Sequence, residues 1–264
     1  MESFEILGYI GALCVGLILG LLGSGGSIIT IPILTYLFQI SPITTTAYSL
    51  FVVGTSSSIG VLSNWKKGLV DFRIAIIFAI PAFIAVYVVR KYLLPIIPTE
   101  IIIKDFLITK DTAIMVFFAI IMLFSAISMI YKNKLSITSY TTNNPNYLLI
   151  VLIGIIIGLL TGIVGIGGGF LIIPTLVLLL KLPMKKAVAT SLFIIAIKSL
   201  IGFMGDLGNL EINWGFLLSF TAISILGIFI GIYLSSFIKG EILKKYFGWI
   251  ILLVALGVLF QEIF

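Results

Sequence analysis

Long apolar runs, separated by short polar or basic breaks, make up most of the chain. Six of them fall near 44–63, 72–90, 112–131, 187–205, 213–238 and 245–263. Each is close to the roughly 20 residues an α-helix needs to cross a bilayer. Two further stretches, 6–40 and 147–182, have a different pattern. At about 35 residues each they are too long for one crossing and marginal for two. Both are interrupted by glycines, Gly23-Ser24-Gly25-Gly26-Ser27 in the first and Gly165-Ile166-Gly167-Gly168-Gly169 in the second. The apolar piece after each break, such as Ile28 to Gln39, is too short to span and suits a re-entrant arm.

Composition sharpens this reading by exclusion. Of 264 residues, 61% are hydrophobic and 10% charged, with a mean hydropathy of +1.30. A soluble fold of this length cannot hide so much apolar surface. A soluble enzyme, a disordered chain and a nucleic-acid-binding domain are therefore excluded, and lipid becomes the expected surroundings. Histidine is absent, and the single cysteine, Cys14, lies in an apolar segment. The pattern thus calls for no intrachain disulfide, metal site, cofactor or catalytic residue. The start Met1-Glu2-Ser3-Phe4-Glu5 lacks the basic region of a signal peptide, so the first apolar run is expected to persist in the mature protein.

The net charge of +6 comes from 16 Lys and Arg against 10 Asp and Glu, and the basic residues lie mostly between apolar runs, where they set topology. If each glycine break turns a hairpin back to its own side, eleven basic residues share one side: Lys66, Lys67, Arg73, Lys132, Lys134, Lys181, Lys185, Lys186, Lys239, Lys244 and Lys245. The other side holds Arg90, Lys91, Lys104 and Lys110, all in the 90–111 loop. Single crossings would give ten against five, so stretch length favours the hairpins. Both termini are expected outside the cell membrane.

The two glycine-broken stretches align at a constant offset of 142. Gly16-Leu17 matches Gly158-Leu159, and Gly20, Gly23, Gly25-Gly26 and Pro32 match Gly162, Gly165, Gly167-Gly168 and Pro174. The register continues through Ser49-Leu50-Phe51 with Ser191-Leu192-Phe193, to Ile59-Gly60 with Ile201-Gly202. Roughly a third of positions over 16–60 are identical to their counterparts. Such internal repeats mark many transporter folds. The expected fold is all-α: a polytopic membrane protein of two inverted repeats, each a Gly-broken re-entrant hairpin plus three transmembrane helices. The first repeat is 1–131, the polar linker 132–146 and the second repeat 147–264.

A glycine-rich break at membrane depth frees backbone N–H and C=O groups that protein, water or ligand must satisfy. The start of each short arm carries partial positive charge and free N–H donors, an anion site in the making. Gly23, Gly25, Gly26, Gly165, Gly167, Gly168 and Gly169 would admit a ligand to the backbone, and Ser24 and Ser27 would add hydroxyls. Two such tips entering from opposite faces are expected to meet near the midplane. Close helix packing is the competing explanation of the glycines. Lys198 is the second feature, about ten residues from either end of its run. A lysine at such depth costs roughly 2.5–3.5 kcal/mol to insert, and function is the default reading. Ser191, Lys198 and Gly202 share its helix face, and Ser49, Ser56 and Gly60 the equivalent face in the first repeat. Asn64, Asp206 and Asn209 read as helix caps and turn residues at the water interface. No Asp or Glu lies deep in a long apolar run, which leaves no carboxylate relay for protons.

The doubled Gly-Leu-x-x-Gly-x-x-Gly-x-Gly-Gly-x-x-x-x-x-Pro, with Ala-x-Ser-Leu-Phe following in each half, resembles the TauE/SafE sulfite-exporter family. The resemblance covers nearly the whole chain and places the family's glycine motif on Gly23, Gly25 and Gly26 and on Gly165, Gly167 and Gly168. It implies outward transport of sulfite, a sulfonate or a related small anion through the cytoplasmic membrane. Import of inorganic sulfur or other small anions is the alternative, and an intramembrane enzyme lacks residues to work with. Ser27 stands where the second repeat has Gly169, so the two halves of the site need not be equal. Self-association into a homo-oligomer is left open.

Overall fold

The computed structural model describes residues 2–23, 26–98, 100–103, 106–131, 147–164, 169–238 and 240–263. The linker expected at 132–146 lies outside them. The described chain is helical apart from one short hairpin. Helix α1 (Glu2–Leu22) precedes α2 (Gly26–Pro32), which runs into a π-helical turn at Ile33–Leu37. Then come α3 (Pro42–Trp65), α4 (Phe72–Val88) with a π-helical turn at Val89–Leu93, and α5 (Leu94–Ile96). Strands β1 (Glu100–Ile103) and β2 (Phe106–Thr109) precede α6 (Lys110–Tyr131). The second half has α7 (Tyr147–Val164), α8 (Gly169–Pro174) with a π-helical turn at Thr175–Leu179, α9 (Met184–Asp206), α10 (Trp214–Ser235) and α11 (Gly240–Ile263).

Six of the described helical segments are long and apolar enough to cross a bilayer: Pro42–Trp65, Phe72–Ile96, Lys110–Ile127, Tyr147–Val164, Met184–Asp206 and Trp214–Ser235. Large apolar side chains such as Phe124, Leu148, Phe229 and Leu253 stand exposed around the bundle, where lipid takes the place of water. The region expected as a 90–111 loop is largely ordered structure. Helix α4 continues through its π-helical turn to Ile96, and β1 pairs antiparallel with β2, Glu100 opposite Thr109 and Ile103 opposite Phe106. Consecutive β-branched residues, Ile101-Ile102-Ile103, favour extended backbone.

The first glycine-broken stretch is a hairpin. Gly23 ends α1 with a left-handed φ of +68° and donates its N–H to the Leu19 carbonyl at 2.7 Å, an arrangement glycine adopts without steric cost. The arm then runs back along α1. A Cβ on Gly26 would sit 3.2 Å from that of Leu19, one on Gly11 would sit 2.7 Å from Ile33, and the Tyr9 and Phe38 rings are 5.9 Å apart. Over Gly26–Leu37 the arm covers about 18 Å, well short of the ~30 Å hydrocarbon layer.

The offset of 142 seen in the sequence persists in the backbone. Both arms pass through a proline into a π-helical turn, at Pro32 and Pro174. Both end on a non-glycine residue with φ of 53°, Gln39 and Lys181. Both close with the same bonds, Ile40 N–H to Leu34 O at 3.1 Å and Leu182 N–H to Leu176 O at 3.0 Å. The contacts between halves are reciprocal as well. Gly16 of α1 packs against the backbone of Ser224 and Ile228 on α10, while Gly158 of α7 packs against Ala82 on α4. Gly60 meets Leu192 and Ile228, and its counterpart Gly202 meets Leu50 and Val86. Each contact maps onto the other by the same offset of 142.

Helices α3 and α9 form the centre and run antiparallel. Arg90 holds Thr46 near the start of α3 and Asp206 at the end of α9, and the Asp71 N–H just beyond α3 donates to Thr190 early in α9. Fourteen residues of α3 and fifteen of α9 are buried, more than any lipid-facing helix could bury.

Candidate functional site

Lys198 is fully buried, and its Nζ donates to Thr161 Oγ1 on α7 at 2.8 Å. Thr161 in turn donates to the Ile157 carbonyl at 2.6 Å. Among the described residues no carboxylate pairs with Lys198. A buried ammonium with one neutral hydroxyl partner has donor capacity and charge to spare. Thr161 was not anticipated from the sequence. It stands four residues before Gly165, one helical turn from the second glycine break.

The first break meets the opposite half directly. Ser191 Oγ donates to the Gly23 carbonyl at 3.1 Å and also lies 2.8 Å from the Val188 carbonyl. A Cβ on Gly23 would fall 2.7 Å from Val188 O. Gly26, Ser27 and Gly169 are buried at the starts of their arms. Ser24, Gly25, Gly165, Gly167 and Gly168 lie outside the described residues. Gly23 and Ser191 thus come together. Lys198 is two helical turns further along α9 from Ser191, about 10 Å, so the first tip and the lysine occupy different depths.

The α3–α9 register follows from Leu50 beside Gly202, Gly54 beside Leu200 and Gly60 beside Leu192. It brings Ser56 within about two residues, roughly 3 Å, of the level of Lys198, and Ser57 within about four residues, roughly 6 Å, of the level of Ser199. Ser56 is one of the expected site residues, and its Oγ donates to Ser224 Oγ on α10 at 3.2 Å. Ser57 and Ser199 are fully buried, and neither hydroxyl has a partner among the described residues; the same holds for Ser49. The sequence pattern missed Ser57, Ser199 and Ser224, although Ser57 and Ser199 match at the repeat offset.

Asp206 and Asn64 depart from the expected surface caps. Asp206 is 3% exposed and forms an ion pair with Arg90, which is fully buried. Arg90 Nε donates to Asp206 Oδ2 at 2.8 Å, Nη2 donates to the same oxygen, and Nη1 donates to Thr46 Oγ1 at 2.9 Å. Asn64 is 8% exposed and bonds back to the Gly60 carbonyl at 3.0 Å. Charge in a short polar loop had been read as solvated because the partner, Arg90, lies 116 residues away. Lys110 is likewise buried, donating to the carbonyls of Leu94 and Ile97.

A family profile described as sulfite exporter TauE/SafE matches residues 9–258. The chain is 28% identical over 239 residues to "Probable membrane transporter protein YunE" of Bacillus subtilis, covering 80% of this chain and 81% of that one. It is 25% identical over 255 residues to a "Probable membrane transporter protein" of Xylella fastidiosa, covering 94% and 92%. A shorter match, 38% identity over 106 residues, covers 38% of this chain and 40% of "Probable membrane transporter protein MJ0441" of Methanocaldococcus jannaschii. No solved structure gives a significant match. Six apolar spans among the described residues, a buried lysine at the middle of α9 and a match over nearly the full length agree: the chain is a multi-pass membrane transporter belonging to the TauE/SafE sulfite exporter family.

Proposed function

We propose that the protein carries a small sulfur oxyanion, sulfite or an organosulfonate, outward across the cytoplasmic membrane by alternating access. Its moving parts are two inverted halves, 1–131 and 147–264, joined by the 132–146 linker, with both termini outside. The observation that carries this reading is Lys198: a lysine buried in the middle of α9 with a hydroxyl partner and, among the described residues, no acid. Such a charge is costly unless an anion visits it. The antiparallel α3 and α9 and the reciprocal glycine contacts support two opposed halves able to exchange conformations. Ser191 on the Gly23 carbonyl supports a hairpin break held at membrane depth by the opposite half. Arg90 and Lys110 have buried partners, which strengthens the basic bias of the other face and hence the orientation.

With the cell interior negative, an anion leaving gains about 2.3 kcal/mol per charge per 100 mV, so outward flux needs no proton relay. The test is labelled-sulfite flux in proteoliposomes under an imposed potential, with sulfate, taurine and sulfoacetate as competitors. Flux that follows the potential, and that Lys198→Ala reduces at least tenfold in a folded protein, is the expected result. Undiminished flux in Lys198→Ala would remove the lysine from the pathway, and no flux with any anion would overturn the reading.

A further inference from the structure

A row of polar side chains crosses the middle of the bundle, within about one helical turn of depth, through four helices. It runs from Thr161 on α7 to Lys198 and Ser199 on α9, then to Ser57 and Ser56 on α3, and ends at Ser224 on α10. Its two ends are closed by hydrogen bonds, Lys198 to Thr161 at 2.8 Å and Ser56 to Ser224 at 3.2 Å. Its centre is not. Ser57 lies three residues from Gly54, whose open side meets Leu200 of α9, and three from Gly60, whose open side meets Ile228 of α10 and Leu192 of α9; Ser199 lies three residues from Gly202, whose open side meets Val86 of α4 and Leu50 of α3. Residues three apart share a helix face, so both serines belong to the α3–α9 contact. There each is fully buried with an unpartnered hydroxyl, although buried hydroxyls ordinarily find partners.

Among the described residues the row contains one ionisable group, Lys198. Asp206, the next acid along α9, is two turns away and committed to Arg90. An anion of charge −1 at the centre would neutralise Lys198 and accept from the two free hydroxyls. A dianion would leave one negative charge uncompensated in a low-dielectric layer, which is strongly unfavourable. A zwitterion such as taurine would bring an ammonium with no carboxylate to meet it. We propose that this layer is the selective part of the transport site and that it takes oxyanions of a single charge, monosulfonates and hydrogen sulfite, in preference to dianions and zwitterions. This rests on the transporter reading above and deepens it.

The test uses ligands of fixed charge in proteoliposomes of the intact protein. Labelled methanesulfonate flux is measured against propane-1-sulfonate, ethane-1,2-disulfonate and taurine, the first two being similar in length and different in charge. Propane-1-sulfonate is expected to inhibit at least tenfold more strongly than the disulfonate and taurine. Ser57→Ala and Ser199→Ala are expected to weaken propane-1-sulfonate inhibition several-fold each while keeping the charge preference, whereas Lys198→Gln removes the preference. Inhibition by the disulfonate within threefold of propane-1-sulfonate, in a protein that transports, would overturn the single-charge site and leave the transporter reading standing. A protein that binds and moves no anion, by flux or by thermal shift in detergent, would overturn both. Unaltered inhibition in both serine variants would remove the hydroxyls from the site.

Discussion

The Arg90–Asp206 pair offers a quantitative test of how this bundle is held, because the protein carries its own control. Arg90, Asp206 and Thr46 tie α4, α9 and α3 together at one end. The repeat offset maps them onto Ile232, Asn64 and Val188. At that opposite end Ile232 lies beside Gly60, one turn before Asn64, and the Asn64 side chain bonds back to the Gly60 carbonyl of its own helix. The same three positions thus carry a buried ion pair at one end and uncharged residues at the other. Replacing Asp206 with Asn leaves the fully buried guanidinium unpaired, and replacing Arg90 with Ile leaves a carboxylate with 4% side-chain exposure unpaired. Each single change should cost about 3–5 kcal/mol. The double variant Arg90→Ile/Asp206→Asn copies the opposite end and should fall within about 2 kcal/mol of the parent, since an apolar replacement of a buried pair is often neutral. The coupling between the two sites then exceeds about 3 kcal/mol with the sign of mutual rescue. Denaturation in mixed micelles, read by a helix signal, gives the energies, and retention of the monodisperse peak after heating gives an independent ranking. Additive losses in the double variant would refute the argument, showing that neither group depends on the other.

The remaining predictions address packing, the break and the topology. Gly158→Ala would place a Cβ 2.5 Å from the Ala82 carbonyl oxygen and 2.8 Å from the Ala85 Cβ, so it should destabilise by about 1–3 kcal/mol. Gly16→Ala at the reciprocal contact should behave alike in the same unfolding assay, while Gly257→Ala, with nothing within 4 Å, should be neutral or stabilising by up to ~1 kcal/mol. Gly23→Ala combines a left-handed φ of +68° with a contact 2.7 Å from Val188 O; it should cost about 1–2 kcal/mol or more and reduce sulfite flux further than Ser191→Ala, and normal flux would show the break has no part in transport. A cysteine in the 40–44 loop should react with an impermeant reagent from outside the cell, and one at 183–186 should not; the reverse labelling would invert the orientation.

Much of this architecture could be read in the chain because membranes make hydropathy and length do most of the work. The hairpin at Gly23 was legible because a 12-residue arm cannot span and a glycine run needs satisfied backbone. Lys198 was legible because its depth in an Ile-rich run has no cheap explanation. What escaped is pairwise. Asp206 sits at the end of its apolar run, just before Gly208-Asn209, where it resembles a turn residue, and only the fold brings Arg90 to it. The hairpin at Glu100–Thr109 was hidden inside what looked like a charged loop, since eight residues of extended backbone add little to a hydropathy profile. Thr161 looked like one more small residue in a glycine-rich helix, and its position opposite Lys198 depends on α4 carrying α7 beside α9.

The two halves differ in a patterned way. Positions that set backbone spacing are duplicated: Gly16 and Gly158, Gly20 and Gly162, Gly60 and Gly202, and the prolines that open the π-helical turns. Positions that carry polar chemistry mostly are not. Lys198 corresponds to Ser56, Thr161 to Leu19, Ser224 to Ala82, Asp206 to Asn64 and Arg90 to Ile232. A twofold scaffold needs its close contacts in both copies, because a methyl group at either site would push the helices apart. Charge obeys the opposite logic. A second lysine at Ser56 would lie at nearly the level of Lys198, and two like charges in one buried layer repel strongly with no counter-ion between them. One cation is thus the largest charge such a layer holds without a counter-ion, and Ser57 and Ser199 are the matching positions that stay neutral in both repeats. Ser56→Lys should therefore fold poorly even though it restores identity between the repeats, and a stable, transport-active Ser56→Lys protein would refute this account of the asymmetry.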